Sequence, residues 1–450
     1  MPLQPLLAAL HRWELGAGEA GSRSGGAVEQ QYARARSHHL AGGERCRAGR
    51  IVCYMGDVLS VGVVGGGIGG LAAALSLHQA GFDVHVYEQA SSVSEIGAGI
   101  QVTPNATRVL QWLGLGDDLA AMAVQALALH QRRWDDGRTL LRTPLADAVV
   151  DAFGFVWYQM HRADLLTILL RALPPERVHV GHRLVGLVER DDAVEAEFEN
   201  GKSVLVDALV GADGIHSTVQ RILFGPRSAH FTGCAAYRGL IPAERLSHLD
   251  LEVTCDVWMG PGRHFVHYFV RNKQMFNFVT AVEQDSWTGE SWTDKVDVAT
   301  ALAEFDGWHP QVRAIIAAVD EVYIWALFDR PPLEHWSVGH TTLLGDACHP
   351  MLPFMAQGAA QAIEDGATLT ACLARTSRAD IPMALHRYEQ LRLPRASRVQ
   401  AGSAANKTRF HLPDGPEQEE RDAQMATGST DFSKTAIAWV LEHDATRLEP

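Results

Sequence analysis

The stretch VVGGGIGGLAAAL, residues 63–75, sets Gly65, Gly67 and Gly70 in the spacing G-x-G-x-x-G, with Gly66 and Gly69 tightening the turn further. Glycines so placed let backbone N–H groups approach a pyrophosphate at the positive end of a helix. Glu88 stands 18 residues beyond Gly70. A carboxylate at the end of the next strand can accept hydrogen bonds from ribose hydroxyls. A tight strand–helix turn followed by a surface glutamate would show the same letters. The surrounding elements decide, and the loop alone does not separate NAD from FAD.

Those elements are in register with the loop. SVGVV (60–64) reads as a short buried strand, LAAALSLHQAG (71–81) as a helix closed by Gly81, and FDVHVYE (82–88) as a second strand. Together they have the length of a βαβ crossover. HRADLLTILLRAL (161–173) is helical, and residues 177–214 alternate as short strands with turns at Asp191-Asp192 and Asn200-Gly201. From about 230 to 335 the texture changes. EVTCDVWM (252–259), RHFVHYFV (263–270) and MFNFVTAVE (275–283) predict an antiparallel sheet, the last two joined as a hairpin by RNKQ. WSVGHTTLLGDACHP (336–350) returns to buried strand and turn, and GAAQAIEDGATLTACLA (358–374) predicts a helix. The pattern implies an α/β fold: a Rossmann-like nucleotide domain over 55–229 and 336–400, a β-rich substrate domain inserted over 230–335, and a helical or irregular segment over 401–450. Residues 1–54 hold seven arginines, no lysine and little periodicity. They read as a disordered extension, or as upstream sequence before a true start at Met55.

Composition excludes several function classes. With 39 basic and 53 acidic residues the formal charge is −14, and no basic run follows residue 50, unlike a binder of nucleic acid or anionic membrane. The six cysteines (46, 53, 234, 255, 348 and 372) include no C-x-x-C pair, which fits free thiols and predicts no metal site. No apolar run reaches the ~18 residues that span a membrane, and the expected location is cytoplasmic.

Two further stretches resolve the cofactor. DALVGADGIHSTVQR (207–221) and LLGDACHPMLPFMAQGAAQAIEDG (343–366), taken with the glycine loop, resemble the flavin motifs of the flavoprotein aromatic hydroxylases, single-component FAD-dependent monooxygenases. The resemblance runs from about residue 58 to about 400. AAYRGLIP (235–242), GPGRHFVHY (260–268) and GDACHPMLPFMAQGA (345–359) are most similar to the branch with salicylate hydroxylase, 3-hydroxybenzoate 6-hydroxylase and 6-hydroxynicotinate 3-monooxygenase.

The resemblance implies roles for particular residues. Gly65, Gly67, Gly70 and Glu88 would hold the adenosine half of FAD. Arg162 would meet phosphate or the ribityl region, Asp213 the flavin and the approach of the nicotinamide, and Asp346 the ribityl chain. Gly358 and Ala359 would open a helix whose positive end faces the flavin's pyrimidine edge. GAGIQ (97–101) would pack near the isoalloxazine. The implied reaction uses NADH or NADPH and O2, through a flavin hydroperoxide, to hydroxylate a small phenolic acid like salicylate or 3-hydroxybenzoate. The alternatives are 6-hydroxynicotinate-type chemistry on a heteroaromatic acid, or an uncoupled flavin oxidase. A phenol reacts faster as its anion, so the site needs a base near neutrality, and histidine suits. Alternation in HFVHYFV sets His264 and Tyr268 on one strand face and His267 on the other. His264 and Tyr268 also match the family positions that face substrate. His264 is therefore the expected base, against the plainer role of a packed strand histidine, with Tyr268 its hydrogen-bonding partner. Pro353 replaces a glutamine of the 3-hydroxybenzoate pattern, which removes one polar contact to the substrate ring. His349 reads as structural, and the tryptophans receive no role. Residues 401–450 are assigned, by resemblance alone, to a possible homodimer contact.

Overall fold

Val61, Val63 and Val64 are almost wholly buried in the strand Ser60–Val64, as a strand covered on both faces requires. The structure, a computed structural model, describes residues 58–93, 98–287 and 294–447. The expected extension 1–54, Met55, Cys46, Cys53 and Gly97 lie outside the described residues.

Ser60–Val64 is central to a six-stranded sheet with Ala208–Gly211 and Asp83–Glu88 parallel on its two sides. Val178–Val180 adds parallel at one edge, and Thr341–Leu343 at the other, followed by the antiparallel Ser337–Val338. The glycine loop leads into the helix Ile68–Gln79, which packs closely on the later helix Gly358–Leu373. Gly366 makes that approach possible, since a Cβ there would come within 2.8 Å of the Ala73 backbone.

The second large sheet has eight strands. Its centre is His230–Pro242, Met275–Glu283, Arg263–Val270 and Cys255–Gly260, all antiparallel, with the expected hairpin at RNKQ. Arg271, Asn272 and Lys273 turn that hairpin with positive φ. Two strands, Ala128–Arg133 and Thr139–Pro144, come from a stretch that sequence placed in the nucleotide domain. Ala128–Arg133 joins by parallel pairing with Cys255–Gly260, more than a hundred residues away in the chain. Such non-local pairing leaves no local trace. The boundary expected at residue 400 falls inside one helix, Ile381–Phe410, 30 residues long with Pro394 within it. Its last residue, Phe410, and His411 just after it lie against the eight-stranded sheet, and the helix Pro416–Ala426 packs on Thr139–Pro144.

Candidate active site

The glycine loop has two kinds of glycine. Gly65 has φ +111°, and a Cβ there would lie 2.3 Å from the Ala212 carbonyl oxygen. A Cβ on Gly70 would lie 2.0 Å from the carbonyl oxygen of Gly65. Those two let the loop close on itself. Gly67 differs: nothing lies within 4 Å of where its Cβ would be, and it borders the main cavity. It caps the helix Ile68–Gln79 with no side-chain acceptor for the first N–H groups. Open space, bare N–H groups and a helix N-terminus together fit a dinucleotide pyrophosphate. Glu88 sits beside the loop, its two carboxylate oxygens accepting from the N–H groups of Gly66 (2.7 Å) and Ala90 (2.8 Å). Each oxygen keeps a lone pair for a hydroxyl.

From Gly67 a cavity of about 540 Å³ runs between the two large sheets, bordered by Arg162, Asp346, Gly358 and Ala359. Asp346 is exposed in the turn Gly345–Ala347, and Gly358 begins the 16-residue helix whose free N–H groups end at the cavity. A buried ionic cluster fixes that turn against that helix. Asp365 accepts from Gly345 N–H at 3.0 Å and pairs with His349 Nε2 at 2.7 Å and Arg392 Nε at 2.7 Å. Arg392 also meets Glu364 at 2.5 Å, and Arg395 meets Glu364 at 2.7 Å. His349 is thus held in a structural cluster.

Asp213 does not border the cavity; its neighbours Gly214, Ile215 and His216 do. Its carboxylate caps the helix Thr218–Phe224, accepting from Ser217 Oγ (2.5 Å) and from the N–H groups of Thr218 (2.7 Å) and Val219 (3.2 Å). Burial raises its pKa against the lowering effect of those bonds.

At the far end the wall is the face of the eight-stranded sheet. His264 and Tyr268 both border the cavity, as alternation requires. His267 points away and accepts from Trp258 Nε1 at 3.0 Å. Burial pushes it down to about 4. Tyr268 is 3% exposed, and its hydroxyl is raised by burial and then by Cys255. Gly99 packs on it: a Cβ at Gly99 would lie 2.7 Å from the Tyr268 ring and 2.6 Å from Asn277. Gly99 N–H donates to Asn277 Oδ1 at 2.7 Å, so the GAGIQ loop is fastened to the sheet at the cavity wall. His264 is boxed by the edges of Phe354 and Phe410, with centroids 4.9 and 5.3 Å away. Its Nδ1 lies 2.7 Å from His411 Nε2. Burial, and then His411, hold it well below the ordinary histidine range. The ring is therefore neutral at pH 7, and burial sets it below the near-neutral range that the sequence reading expected of the base.

Four residues lie outside the sequence expectations. Arg238 borders the cavity and is buried at 8% exposure, its guanidinium over Trp325 (4.8 Å) and Tyr323 (5.5 Å). With Arg162 and Arg409 it places positive charge at the cavity of a chain whose net charge is −14. His411 and Phe410 belong to the segment that sequence assigned to a dimer contact, yet they build the wall around His264. Asn277 is the fourth. Only Arg238 had a local signal, its place in AAYRGLIP.

Residues 58–403 match the family described as "FAD binding domain". Over 367 residues the chain is 42% identical to a 3-amino-4-hydroxybenzoate 2-monooxygenase of Streptomyces platensis, covering 82% of this chain and 92% of that one. The chain belongs to the FAD-dependent aromatic monooxygenases. This monooxygenase is also 39% identical to a 6-hydroxynicotinate 3-monooxygenase of Bordetella bronchiseptica, over 77% of this chain and 91% of that one. Among solved structures, HpxO of Klebsiella pneumoniae complexed with FAD and uric acid is similar with TM-score 0.74 and 28% identity, covering 84% of this chain and 94% of that one. A salicylate hydroxylase substrate complex gives TM-score 0.74 at 25% identity, covering 86% and 96%. The monooxygenase has four buried free thiols among the described residues, Cys234, Cys255, Cys348 and Cys372. No helix among those residues is long and apolar enough to cross a membrane.

Proposed function

We propose that this monooxygenase hydroxylates a small aromatic acid whose ring hydroxyl lies para to its carboxylate, using NADH or NADPH and O2. The observation that carries the reading is a buried, neutral His264 on the same cavity wall as the buried cation Arg238. The para arrangement is common to 3-amino-4-hydroxybenzoate and 6-hydroxynicotinate, on which the relatives at 42% and 39% identity act. Salicylate and 3-hydroxybenzoate, the first expectations from sequence, become the comparison substrates.

In this reading Gly67 and the first turn of Ile68–Gln79 hold the pyrophosphate of FAD. Arg162 and Asp346 meet its ribityl-phosphate arm, and the helix start at Gly358 and Ala359 meets its ring. The chemistry that FAD supplies when bound is reduction by the nicotinamide and activation of O2 toward an electron-rich ring. The chain's own task is to make the ring electron-rich and hold it. Arg238 takes the carboxylate by a charge-assisted hydrogen bond. His264 accepts the phenolic proton at Nε2, because its Nδ1 is committed to His411, and Tyr268 hydrogen-bonds the same oxygen. Phe354, Val266, Val257 and Trp325 line the space and keep it poor in water. Positioned proton transfer of this kind contributes about 100- to 10,000-fold in rate.

The test is NADH oxidation in air by the purified FAD-loaded protein with 3-amino-4-hydroxybenzoate, 6-hydroxynicotinate, salicylate and 3-hydroxybenzoate in turn. Strong stimulation by a para-hydroxy acid, with hydroxylated product equal to the NADH consumed, is the expected result. Peroxide in place of product would make the protein an uncoupled oxidase. His264→Ala should keep FAD and lose most turnover; near-normal hydroxylation by that variant would remove His264 as base.

A further inference from the structure

The reading of His264 as base leaves its proton without a destination. The ring is 4% exposed and enclosed by Phe354 and Phe410, so water does not drain it. Burial also makes it a poor store of charge.

Its partner supplies a route. His264 Nδ1 is 2.7 Å from His411 Nε2, and His411 Nδ1 is 3.0 Å from Glu283 Oε1. The exposure changes along the chain: the side chain of His411 is 2% exposed and that of Glu283 47%. We infer that His411 and Glu283 continue His264 as a proton path from the cavity to the protein surface, serving the ionisation of the substrate hydroxyl. The inference rests on the reading of His264 given above.

The hydrogen-bond order fits a path with one polarity. An ionised carboxylate can only accept, so Glu283 fixes the proton of neutral His411 on Nδ1. His411 Nε2 is then an acceptor, so His264 must donate from its own Nδ1. That leaves His264 Nε2 with a bare lone pair, the form a general base needs. As the substrate O–H breaks, its proton bonds to His264 Nε2. The Nδ1 proton of His264 passes to His411 Nε2, the Nδ1 proton of His411 passes to Glu283, and Glu283 yields it to water. When the oxygenated ring takes a proton back, the same transfers run inward and restore both tautomers. No oxidant is consumed in either direction.

The backbone holds the three groups together. Gly262, at φ +65° in the turn before the His264 strand, donates from N–H to the His411 carbonyl at 3.0 Å. Its own carbonyl accepts from Glu283 N–H at 2.9 Å. One turn thus ties the end of the helix Ile381–Phe410 to the end of the strand Met275–Glu283. The groups facing His411 are Lys407 from its own helix, Arg263 and Glu283 from the hairpin strands, and Cys234 from His230–Pro242. Burial first, then Lys407 and Arg263, push His411 down to about 3, so it passes a proton on and does not trap it. Lys407 is occupied with the Thr232 carbonyl at 2.7 Å, and Arg263 with Glu304 at 3.0 Å. The Cys234 thiol is raised by burial to about 11 and so stays protonated, outside the path.

The experiment uses the oxidised FAD-loaded protein without nicotinamide, mixed in stopped flow with 3-amino-4-hydroxybenzoate in weak buffer containing a pH dye. A second measurement needs no substrate: the tautomers of His264 and His411 from ¹⁵N-histidine spectra, assigned with the variants. His411→Gln and Glu283→Gln should bind FAD normally and hold the probe within about threefold of wild-type affinity. Each should release the proton at least tenfold more slowly, and Glu283→Asp should recover much of the rate. Both rings should carry their proton on Nδ1 in the wild type. Release at the wild-type rate in both variants, or His264 protonated on Nε2 in the resting protein, would overturn the path while leaving His264 a base. Absence of any proton release or of any bound probe in the wild type, with the expected tautomers missing, would overturn the base reading and the path together.

Discussion

Gly67 and Gly70 belong to one motif, yet their substitutions should fail in opposite ways. Gly67 has φ −74° and ψ 179°, ordinary extended backbone, with open space where a Cβ would point. Gly67→Val therefore meets no clash in the protein without FAD. Its stability should hold within about 1 kcal/mol, the stiffer unfolded chain offsetting the poorer helix cap. The same side chain fills the space that a pyrophosphate must enter. Each charge-assisted hydrogen bond lost is worth about 1.5–3 kcal/mol. Two lost backbone contacts give about 3–6 kcal/mol, a weakening of FAD binding by roughly 100- to 20,000-fold. Gly70→Ala instead drives a methyl to 2.0 Å from the Gly65 carbonyl oxygen, and the loop must shift. That should cost about 3 kcal/mol or more before any cofactor is present. Urea unfolding of the flavin-stripped proteins and titration with FAD, followed by quenching of its fluorescence, separate the two effects. Wild-type affinity for FAD in Gly67→Val would refute the assignment of that space to the pyrophosphate. So would equal destabilisation of both variants, because Gly67 would then be a structural glycine like its neighbour.

Arg238→Met should weaken binding of the acid substrate by about 10- to 100-fold, the worth of one charge-assisted bond, and barely affect its methyl ester. Flavin absorbance titration checks this, and equal losses for acid and ester would remove Arg238 as the carboxylate site. Arg392→Met strands the buried carboxylates of Asp365 and Glu364 and should cost about 3–5 kcal/mol in urea unfolding. An unchanged midpoint would mean that the cluster does not hold the flavin turn. Stability should also fall below pH 6.5, because His264, His267 and His411 are buried neutral and the unfolded chain binds their protons more readily. Each group removes about 1.4 kcal/mol per pH unit until its folded value is reached. Unfolding at pH 7.5 and pH 5.5 should thus differ by roughly 4 kcal/mol from these three rings, and a flat profile would show that they are hydrated.

What was legible in the chain was what is encoded locally. The glycine loop is read from six consecutive residues because its geometry depends on their missing side chains. The hairpin around RNKQ is read from period-two alternation on either side of a polar turn, and that alternation alone put His264 and Tyr268 together and turned His267 away. Asp213 shows the limit of a motif. In GADGIHSTVQR the same carboxylate that family resemblance assigns to the flavin is spaced to cap a helix, and the structure uses both its oxygens for that cap.

The rest of the site depends on contacts between distant segments. The strand Ala128–Arg133, whose Leu129 and Gln131 border the cavity, reaches the eight-stranded sheet through a parallel pairing with Cys255–Gly260. His411 ends a helix, where a histidine is ordinary because it suits the negative end of the helix dipole. Nothing near it in sequence marks it as the neighbour of His264, 147 residues earlier. The helix itself is long, interrupted by Pro394 and mixed in polarity, so its apolar stripe gives little warning of which face returns to the cavity. This distribution has a physical reason. The cofactor's loop must be built by short-range geometry, since a pyrophosphate is bound by backbone. On the proposed path the substrate's proton leaves through side chains, and those can be drawn from anywhere the fold brings two strands and a helix end within hydrogen-bonding distance. A comparison of chains that matched only the glycine loop and the flavin turn would therefore identify the cofactor and remain silent on how the substrate is ionised. The His264–His411–Glu283 arrangement becomes visible only when the end of Ile381–Phe410 is laid on the hairpin.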